Sequence, residues 1–179
     1  MRTGLFVGLM LLIQVGYGAE PDYEHRSLKK ELSSIWHIDL ASLKEDCHLS
    51  AQLIHEGKVF TVEKDHQLLG YVYVGRIVSC RQGVCSIGDA AASSESYEYF
   101  DAFVIYNAEK VVKKVKVYNY QATHGQEICS TGWLKQFTDY TSENPLIVGK
   151  HIDSISGATI STQAITNEIN YVTQLLHHN

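Results

Sequence analysis

The sequence lacks the features that would place it in several large functional classes. Acidic residues outnumber basic ones, 20 to 15, and the formal net charge at neutral pH is -5. No stretch is rich in lysine and arginine, so the chain offers no basic surface of the kind that binds nucleic acid. It also has no Cys-x-x-Cys-His for covalent haem, no phosphate-binding glycine loop and no Gly-x-Ser-x-Gly elbow. These absences argue against nucleic-acid partners and against three familiar kinds of site.

Long apolar runs are also missing, apart from one near the start. Residues 5–15 (LFVGLMLLIQV) are apolar, but this run is short against the roughly 20 residues that span a bilayer. A positive start at Arg2 precedes the run and small residues follow it, a pattern typical of a secretory signal peptide. We predict a signal peptide over residues 1–18, cleaved before Ala19, and therefore a periplasmic or envelope location. A retained membrane anchor is the alternative. A lipoprotein anchor is disfavoured because no cysteine follows the run.

The chain contains four cysteines, and an exported protein permits disulfides between them. Cys80 and Cys85 (CRQGVC) lie close together with Gly83 available for a turn, and we predict a disulfide between them. A redox-active pair would need the Cys-x-x-Cys spacing, which is absent. For Cys47 and Cys129 two alternatives stay open, a mutual disulfide or two free thiols. No zinc-ligand spacing is present.

The hydrophobic pattern predicts two β-hairpins. Residues 58–79 and residues 99–120 carry β-branched and aromatic residues on both sides of a short polar stretch. That stretch is KDHQ in the first segment and Asn107 to Lys110 in the second. A polar loop, residues 80–98, separates the two segments. The strands are therefore expected to form one antiparallel sheet.

Segments with helical periodicity precede and follow these hairpins. Residues 22–36 predict a surface helix, and residues 133–140 predict a short helix before a break at Asn144-Pro145. Residues 160–178 predict a final helix with one apolar face. The apolar positions of that face are Ile160, Ala164, Ile165, Ile169, Val172, Leu175 and Leu176. This order of elements predicts a single α+β domain in which helices flank the sheet.

The segment DSISGAT, residues 153–159, concentrates small and hydroxylated residues immediately before the final helix. One interpretation of Thr159 is an N-cap, because serine or threonine commonly satisfies the first N–H groups of a helix. The other is an anion site, since the start of a helix favours negative charge. Gly157 and Ala158 add little bulk beside the Thr159 hydroxyl. A phosphate could therefore approach this hydroxyl or be esterified to it.

The same segment resembles the Asp-x-x-Ser/Thr-Gly-Ala-Thr motif of the FMN-binding domain family. That family includes the periplasmic flavin subunits of the sodium-pumping NADH:quinone reductase and of the Rnf complex. In those subunits the last threonine carries FMN through a phosphoester, which a flavin transferase makes from FAD with magnesium. The resemblance implies that Thr159 carries FMN and that Asp153, Ser156, Gly157 and Ala158 form the recognition segment.

A second segment, residues 117–137 (VYNYQATHGQEICSTGWLKQF), resembles the stretch after the central hairpin of the same family. The ion-pumping subunits usually have His-x-Glu-Thr-Pro-Gly there. In this chain His124 and Glu127 lie one residue further apart and no proline follows. The pattern is closer to small stand-alone FMN-binding domain proteins of bacterial envelopes. The resemblance covers roughly residues 65–178. With the signal peptide (1–18), we therefore predict an N-terminal helix and linker (19–64) and an FMN-binding domain (65–179).

A flavin ring is flat and mostly apolar with a polar edge, so it needs aromatic or aliphatic walls and a few polar groups. The candidates are Trp133, Tyr118 and Tyr120 as walls, Lys150 and His151 beside the phosphate or the ring's N1–C2 edge, and His124 with Glu127 on a loop over the ring. Each has an ordinary alternative: the tyrosines alternate as strand residues do, Lys150 is solvated, and the His124 loop bonds to backbone.

These features predict an exported flavoprotein electron carrier with FMN on Thr159. It would exchange electrons with membrane or envelope redox partners and would be matured by a flavin transferase that uses FAD and magnesium. Electron transfer is expected rather than conversion of a substrate. The alternatives are a protein that binds FMN without a covalent bond, and a non-redox envelope module in which Thr159 only caps a helix.

Overall fold

The computed structural model describes residues 20–39, 42–81 and 97–179. The predicted signal peptide lies outside these ranges. So does Cys85, and with it the predicted disulfide to Cys80.

Five strands form one antiparallel sheet in which each strand pairs with the next along the chain. The strands are β1 (Leu43–Glu45), β2 (Gly57–Lys64), β3 (Gln67–Arg81), β4 (Tyr97–Asn107) and β5 (Val112–Tyr120). Both predicted hairpins are confirmed. Asp65 and His66 turn the chain between β2 and β3 with positive φ angles of 52° and 64°, a backbone twist that suits a tight hairpin.

Helices lie on both faces of this sheet. They are α1 (Arg26–Trp36), α2 (Cys47–Ser50), α3 (Thr131–Leu134) and α4 (Thr159–His178), with 3₁₀ turns at Gln126–Cys129 and Lys135–Phe137. The short helix predicted at 133–140 begins earlier, because the Ser130 side chain accepts from the Trp133 N–H at 3.3 Å and caps it. The first and last helices agree with the sequence-based prediction within a few residues.

Two hydrophobic clusters hold the layers together. Leu28 and Leu32 of α1 pack against one face of the sheet, where Phe103 and Ile105 of β4 are fully buried. On the other face α4 and the short helices pack against the remaining buried strand residues. Alternate residues of β4 therefore serve opposite clusters, as the period of a strand requires. The protein is an α+β domain of helix, sheet and helix layers.

The segment predicted as N-terminal helix and linker also contributes to this sheet. Strands β1 and β2 are hydrogen-bonded neighbours, and the expected boundary at residue 65 falls in the turn between β2 and β3. Strand β1 has only three residues, too few for an alternating pattern to be recognised.

Two further features concern the chain as far as the structure describes it. Cys47 and Cys129 are both free thiols, so the mutual disulfide considered above does not form. None of the described helices combines the length and the apolar character needed to cross a membrane.

Candidate functional site

The DSISGAT segment turns the chain into α4 without a capping side chain. Gly157 has φ 83°, and Ala158 then occupies the N-cap position, so Thr159 is the first helical residue. The first intrahelical bond runs from the Thr162 N–H to the Ala158 carbonyl at 2.8 Å. The interpretation of Thr159 as an N-cap is therefore wrong. Its side chain is exposed and has no capping role to perform.

The start of α4 consequently carries uncompensated donors. Among the described residues no acceptor is found for the N–H groups of Thr159, Ile160 and Ser161, and the first turn contains no acidic residue. Free N–H groups and the helix dipole together give this end a partial positive charge. The position therefore favours an anionic group at Thr159.

Hydrogen bonds from the short helices fix the segment that leads to Thr159. The indole Nε1–H of Trp133 donates to the Asp153 carbonyl at 2.9 Å, and the Asp153 N–H donates to Gln136 Oε1 at 2.8 Å. Trp133 is buried against Phe137. Trp133 therefore lies beneath residues 153–159 and not in a cleft beside Thr159.

A cleft of about 400 Å³ opens on one side of Thr159, and we call it the His124 cleft. Its lining residues are Ser79, Glu98, His124, Gly157, Ala158, Thr159, Ile160 and Ser161. Of these side chains only His124 can carry a positive charge. The Glu98 carboxylate accepts a hydrogen bond from the Thr123 hydroxyl.

A chain of hydroxyl groups joins this cleft to the loop that carries His124. Ser161 Oγ lies 2.8 Å from both Ser79 Oγ and the Tyr120 hydroxyl oxygen. The Tyr120 hydroxyl donates its single proton to the His124 carbonyl, so Ser161 donates to Tyr120 and Ser79 donates to Ser161. Gly125 permits this approach, since a Cβ there would lie 2.8 Å from the Tyr120 hydroxyl oxygen. The loop is thereby held at the start of α4.

A second cleft, of about 550 Å³, adjoins the first, and we call it the His55 cleft. It is lined by Ile54, His55, Ile77, Val78, Ser79, Thr159, Ile160, Gln163, Ala164, Asn167, Glu168 and Tyr171. Ile160 was predicted on the buried face of the last helix, but it is 50% exposed here. Ile54 and Val78 are 70% and 40% exposed. The cleft thus has three open aliphatic walls.

A β-bulge shapes this second cleft. Between the pairings of Val78 with Tyr99 and of Cys80 with Glu98, Ser79 is the extra residue on β3. Regular alternation would aim only Ile77 and Ser79 at α4, whereas the bulge lets Val78 line the cleft with them. Ser79, Thr159 and Ile160 line both clefts, so Thr159 stands on the boundary between the two.

The structure separates several of the other predicted site residues from Thr159. Tyr118 lies on the α1 face, where its ring stacks on His25 at 4.5 Å, while Tyr120 reaches the α4 face. Lys150 and Glu127 are exposed and line neither cleft. His151 is engaged locally, because its Nδ1 accepts from the Ile147 N–H at 3.2 Å.

Sequence reasoning missed the residues that β3 and the preceding loop bring to Thr159. Ser79 and Val78 lay at the edge of a predicted polar loop, and Ile54-His55 had no periodic context. The contact of His55 with Glu168 spans 113 residues. No spacing pattern in the sequence indicates this contact.

Comparison with known proteins bears on this geometry. Residues 99–174 match the family model of the FMN-binding domain, a region that runs from β4 into α4 and includes Thr159 and His124. Residues 99–174 are therefore similar to the FMN-binding domain family. A search of the curated proteins found no match.

The residues present fit an FMN group. An exposed hydroxyl stands at the start of a helix with free N–H groups, which suits the phosphate. Clefts of about 400 and 550 Å³ adjoin it, within the roughly 300–1,000 Å³ typical of ligand sites. The aliphatic walls of the His55 cleft suit the flat apolar ring.

Proposed function

We propose that this protein is an exported electron carrier whose FMN is attached to Thr159 through a phosphoester. One observation carries the proposal: the exposed Thr159 hydroxyl begins a helix that has no side-chain cap and stands between two clefts. The similarity of residues 99–174 to a flavin-binding family supports the same assignment. The flavin supplies the redox chemistry, and the protein provides its attachment, orientation and exposure.

Attachment requires a separate enzyme and a flavin donor. In the proposed step the Thr159 oxygen attacks the FMN phosphorus of FAD. The phosphoanhydride bond breaks, a phosphoester forms, AMP leaves and the hydroxyl proton is released. A flavin transferase with magnesium would perform this step. The chain contributes an accessible oxygen, small neighbours at Gly157 and Ala158, and the N–H groups of the first turn, which would hold the phosphate oxygens.

Export and electron partners belong to the same proposal. The positive start and apolar run within residues 1–18 support cleavage before Ala19 and a periplasmic or envelope location. There the flavin would exchange electrons with a membrane or periplasmic redox protein. Isolated mature protein is expected to begin at Ala19 in an intact-mass measurement, and a mass that includes residues 1–18 would contradict this part.

The test of attachment is to co-express the chain with a flavin transferase and measure flavin absorbance and mass after denaturation. Flavin that stays with the denatured chain is expected for the wild type and for Ser154→Ala, which removes a hydroxyl at a position that the Asp-x-x-Ser/Thr-Gly-Ala-Thr motif leaves unspecified. Thr159→Val keeps the shape of the side chain without the hydroxyl and is expected to lack covalent flavin.

The other outcomes identify the alternatives. Colour that is lost on denaturation would mean FMN bound without a covalent bond. A colourless protein would leave a non-redox module. Flavin retained by denatured Thr159→Val would place the attachment at another residue.

A further inference from the structure

A buried carboxylate lies beneath the His55 cleft. The Glu168 side chain is 4% exposed, and its Oε2 lies 2.7 Å from His55 Nδ1. Its other oxygen, Oε1, accepts from the Tyr73 hydroxyl at 2.6 Å. His55 itself is 42% exposed and lines the cleft, and its Nε2 makes no hydrogen bond to any described residue. The imidazole therefore joins a buried carboxylate on one side to the open cleft on the other.

Two glycines create the space that brings Tyr73 to Glu168. Gly57 of β2 and Gly75 of β3 pair directly. A Cβ at Gly75 would lie 2.0 Å from the Tyr73 hydroxyl oxygen, and one at Gly57 would lie 3.0 Å from Cε2 of the same ring. The ring thus lies on a part of the sheet that carries no side chains. Burial raises the pKa of Tyr73 well above its usual value, so the phenol keeps its proton and donates to Oε1.

The remaining titratable groups around this pair are already engaged. From β4, the Tyr106 hydroxyl pairs with Thr173 at 3.2 Å, and from α4 the Tyr171 hydroxyl donates to the Gln52 carbonyl. The neighbouring Glu56 pairs with Arg76 at 3.4 Å, and the described residues that line the cleft include no lysine or arginine. Among the described residues that line the cleft, His55, held by Glu168, is therefore the side chain left to exchange a proton with a bound group.

We propose that His55, oriented by Glu168 and Tyr73, exchanges a proton with the ring of flavin that lies in the His55 cleft. This inference rests on the proposed function. Thr159 and Ile160 line the cleft, so a group tethered at Thr159 can enter it, and Ile54, Val78 and Ile160 supply apolar walls. The alternative position for the ring is the His124 cleft.

The step needs only the redox partner and solvent besides His55 and the flavin. Two electrons arrive from the redox partner, and His55 releases the proton from Nε2. An N–H bond breaks on the imidazole and one forms on the flavin. The exposed imidazole then takes a proton from solvent. Glu168, whose Oε2 lies 2.7 Å from Nδ1, holds the imidazole in position for the transfer.

The experiment compares the rate at which dithionite reduces the flavinylated protein in H₂O and in D₂O. If His55 transfers the proton, reduction of the wild type is expected to be slower in D₂O, and His55→Gln is expected to be reduced at least about tenfold more slowly than the wild type. His55→Asn, whose amide can take the place of Nδ1, is a second variant of the same kind. Glu168→Gln, which removes the carboxylate that holds Nδ1, is expected to slow reduction and to change the D₂O effect, which a purely structural carboxylate would leave unchanged.

Two other histidines make the comparison specific. His66→Asn alters an exposed histidine in the β2–β3 turn, where asparagine tolerates the positive φ of 64°, and it is expected to behave as the wild type. His124→Gln tests the competing position of the ring. Slower reduction and a changed D₂O effect in that variant but not in His55→Gln would overturn the proposal.

Failure of this inference can be distinguished from failure of the proposed function. The mass of the denatured chain reports whether flavin is attached. Attached flavin with the same reduction rate and the same D₂O effect in wild type and His55→Gln would overturn the proton exchange and leave the carrier proposal intact. A chain that takes up no flavin would overturn both.

Discussion

The uncapped start of α4 leads to a prediction that can be tested without any flavin. Thr159→Asp places a negative charge in the first turn of a 20-residue helix whose early N–H groups lack described partners. Thr159→Asn has nearly the same shape without the charge. A charge at this position is worth about 0.3–1 kcal/mol, and Glu98 in the same cleft opposes it, so we expect the lower half of that range. A chain of this size then melts about 1–2 °C higher with aspartate than with asparagine.

The assay is thermal and urea unfolding of both apo variants at low ionic strength. The carboxylate interacts favourably in the folded state, so its pKa there is depressed. The added stability is therefore present above the unfolded-state value of about 4 and is lost as the pH falls through the lower folded-state value. Salt near 1 M, where the screening length is about 3 Å, should also remove most of it. Equal stability of the two variants at low salt and neutral pH would refute the claim that this helix start is uncompensated.

The attached phosphoester, Gly75 and Gly125 each lead to a further expected change in stability. Flavinylated wild type should melt about 1–4 °C higher than the same chain made without the transferase, because the phosphoester places charge at the same helix start; equal melting temperatures would mean that the cofactor gains nothing from this position. Gly75→Ala should lower the urea midpoint by an amount that corresponds to about 1–3 kcal/mol, since its Cβ would lie 2.0 Å from the Tyr73 hydroxyl oxygen, whereas Gly132→Ala, with nothing within 4 Å, should not lower it. Gly125→Ala should destabilise more than Gly149→Ala in the same assay, because both have positive φ but only Gly125 is crowded; equal losses would show that backbone strain alone matters.

The strands of the two hairpins and the last helix could be predicted from the sequence because each has its own local hydrophobic pattern. Strands β2 to β5 alternate around polar turns, and α4 repeats apolar residues on one face over five turns. Ile160 departs from that rule because it lies in the first turn, beyond the edge of the sheet core, where the cleft leaves it half exposed. Hydrophobic periodicity identifies the apolar face of a helix, but it does not indicate how far along the helix that face is packed against the sheet.

Residues of the site could be predicted from the sequence only where they belong to a short motif. The segment that ends at Thr159 was recognised, and His124 does line a cleft beside it. Tyr118 was a reasonable wall by its spacing from Tyr120, yet a bulge separates the pairing of Val117 with Ala102 from that of Asn119 with Asp101. Tyr118 keeps the alternation set by Val115 and Val117 and packs toward α1, whereas Tyr120, beyond the bulge, reaches the α4 face. A one-residue irregularity of this kind changes the face of a side chain and leaves no signal in composition.

The contribution of β3 explains why the family match and the folding unit differ in extent. Residues 99–174 include β5 and most of β4, whereas β3 pairs with β4 along nearly its whole length and places Tyr73 and Ile77 in the core against α4. Without β3, strand β4 would become an exposed edge and the buried face of α4 would lose much of its partner surface. The same strand brings Ser79 and Val78 to the clefts beside Thr159. The matched region therefore carries the attachment residue, while the walls that would meet a tethered ring, and the histidine that would exchange its proton, come from the part of the chain before it.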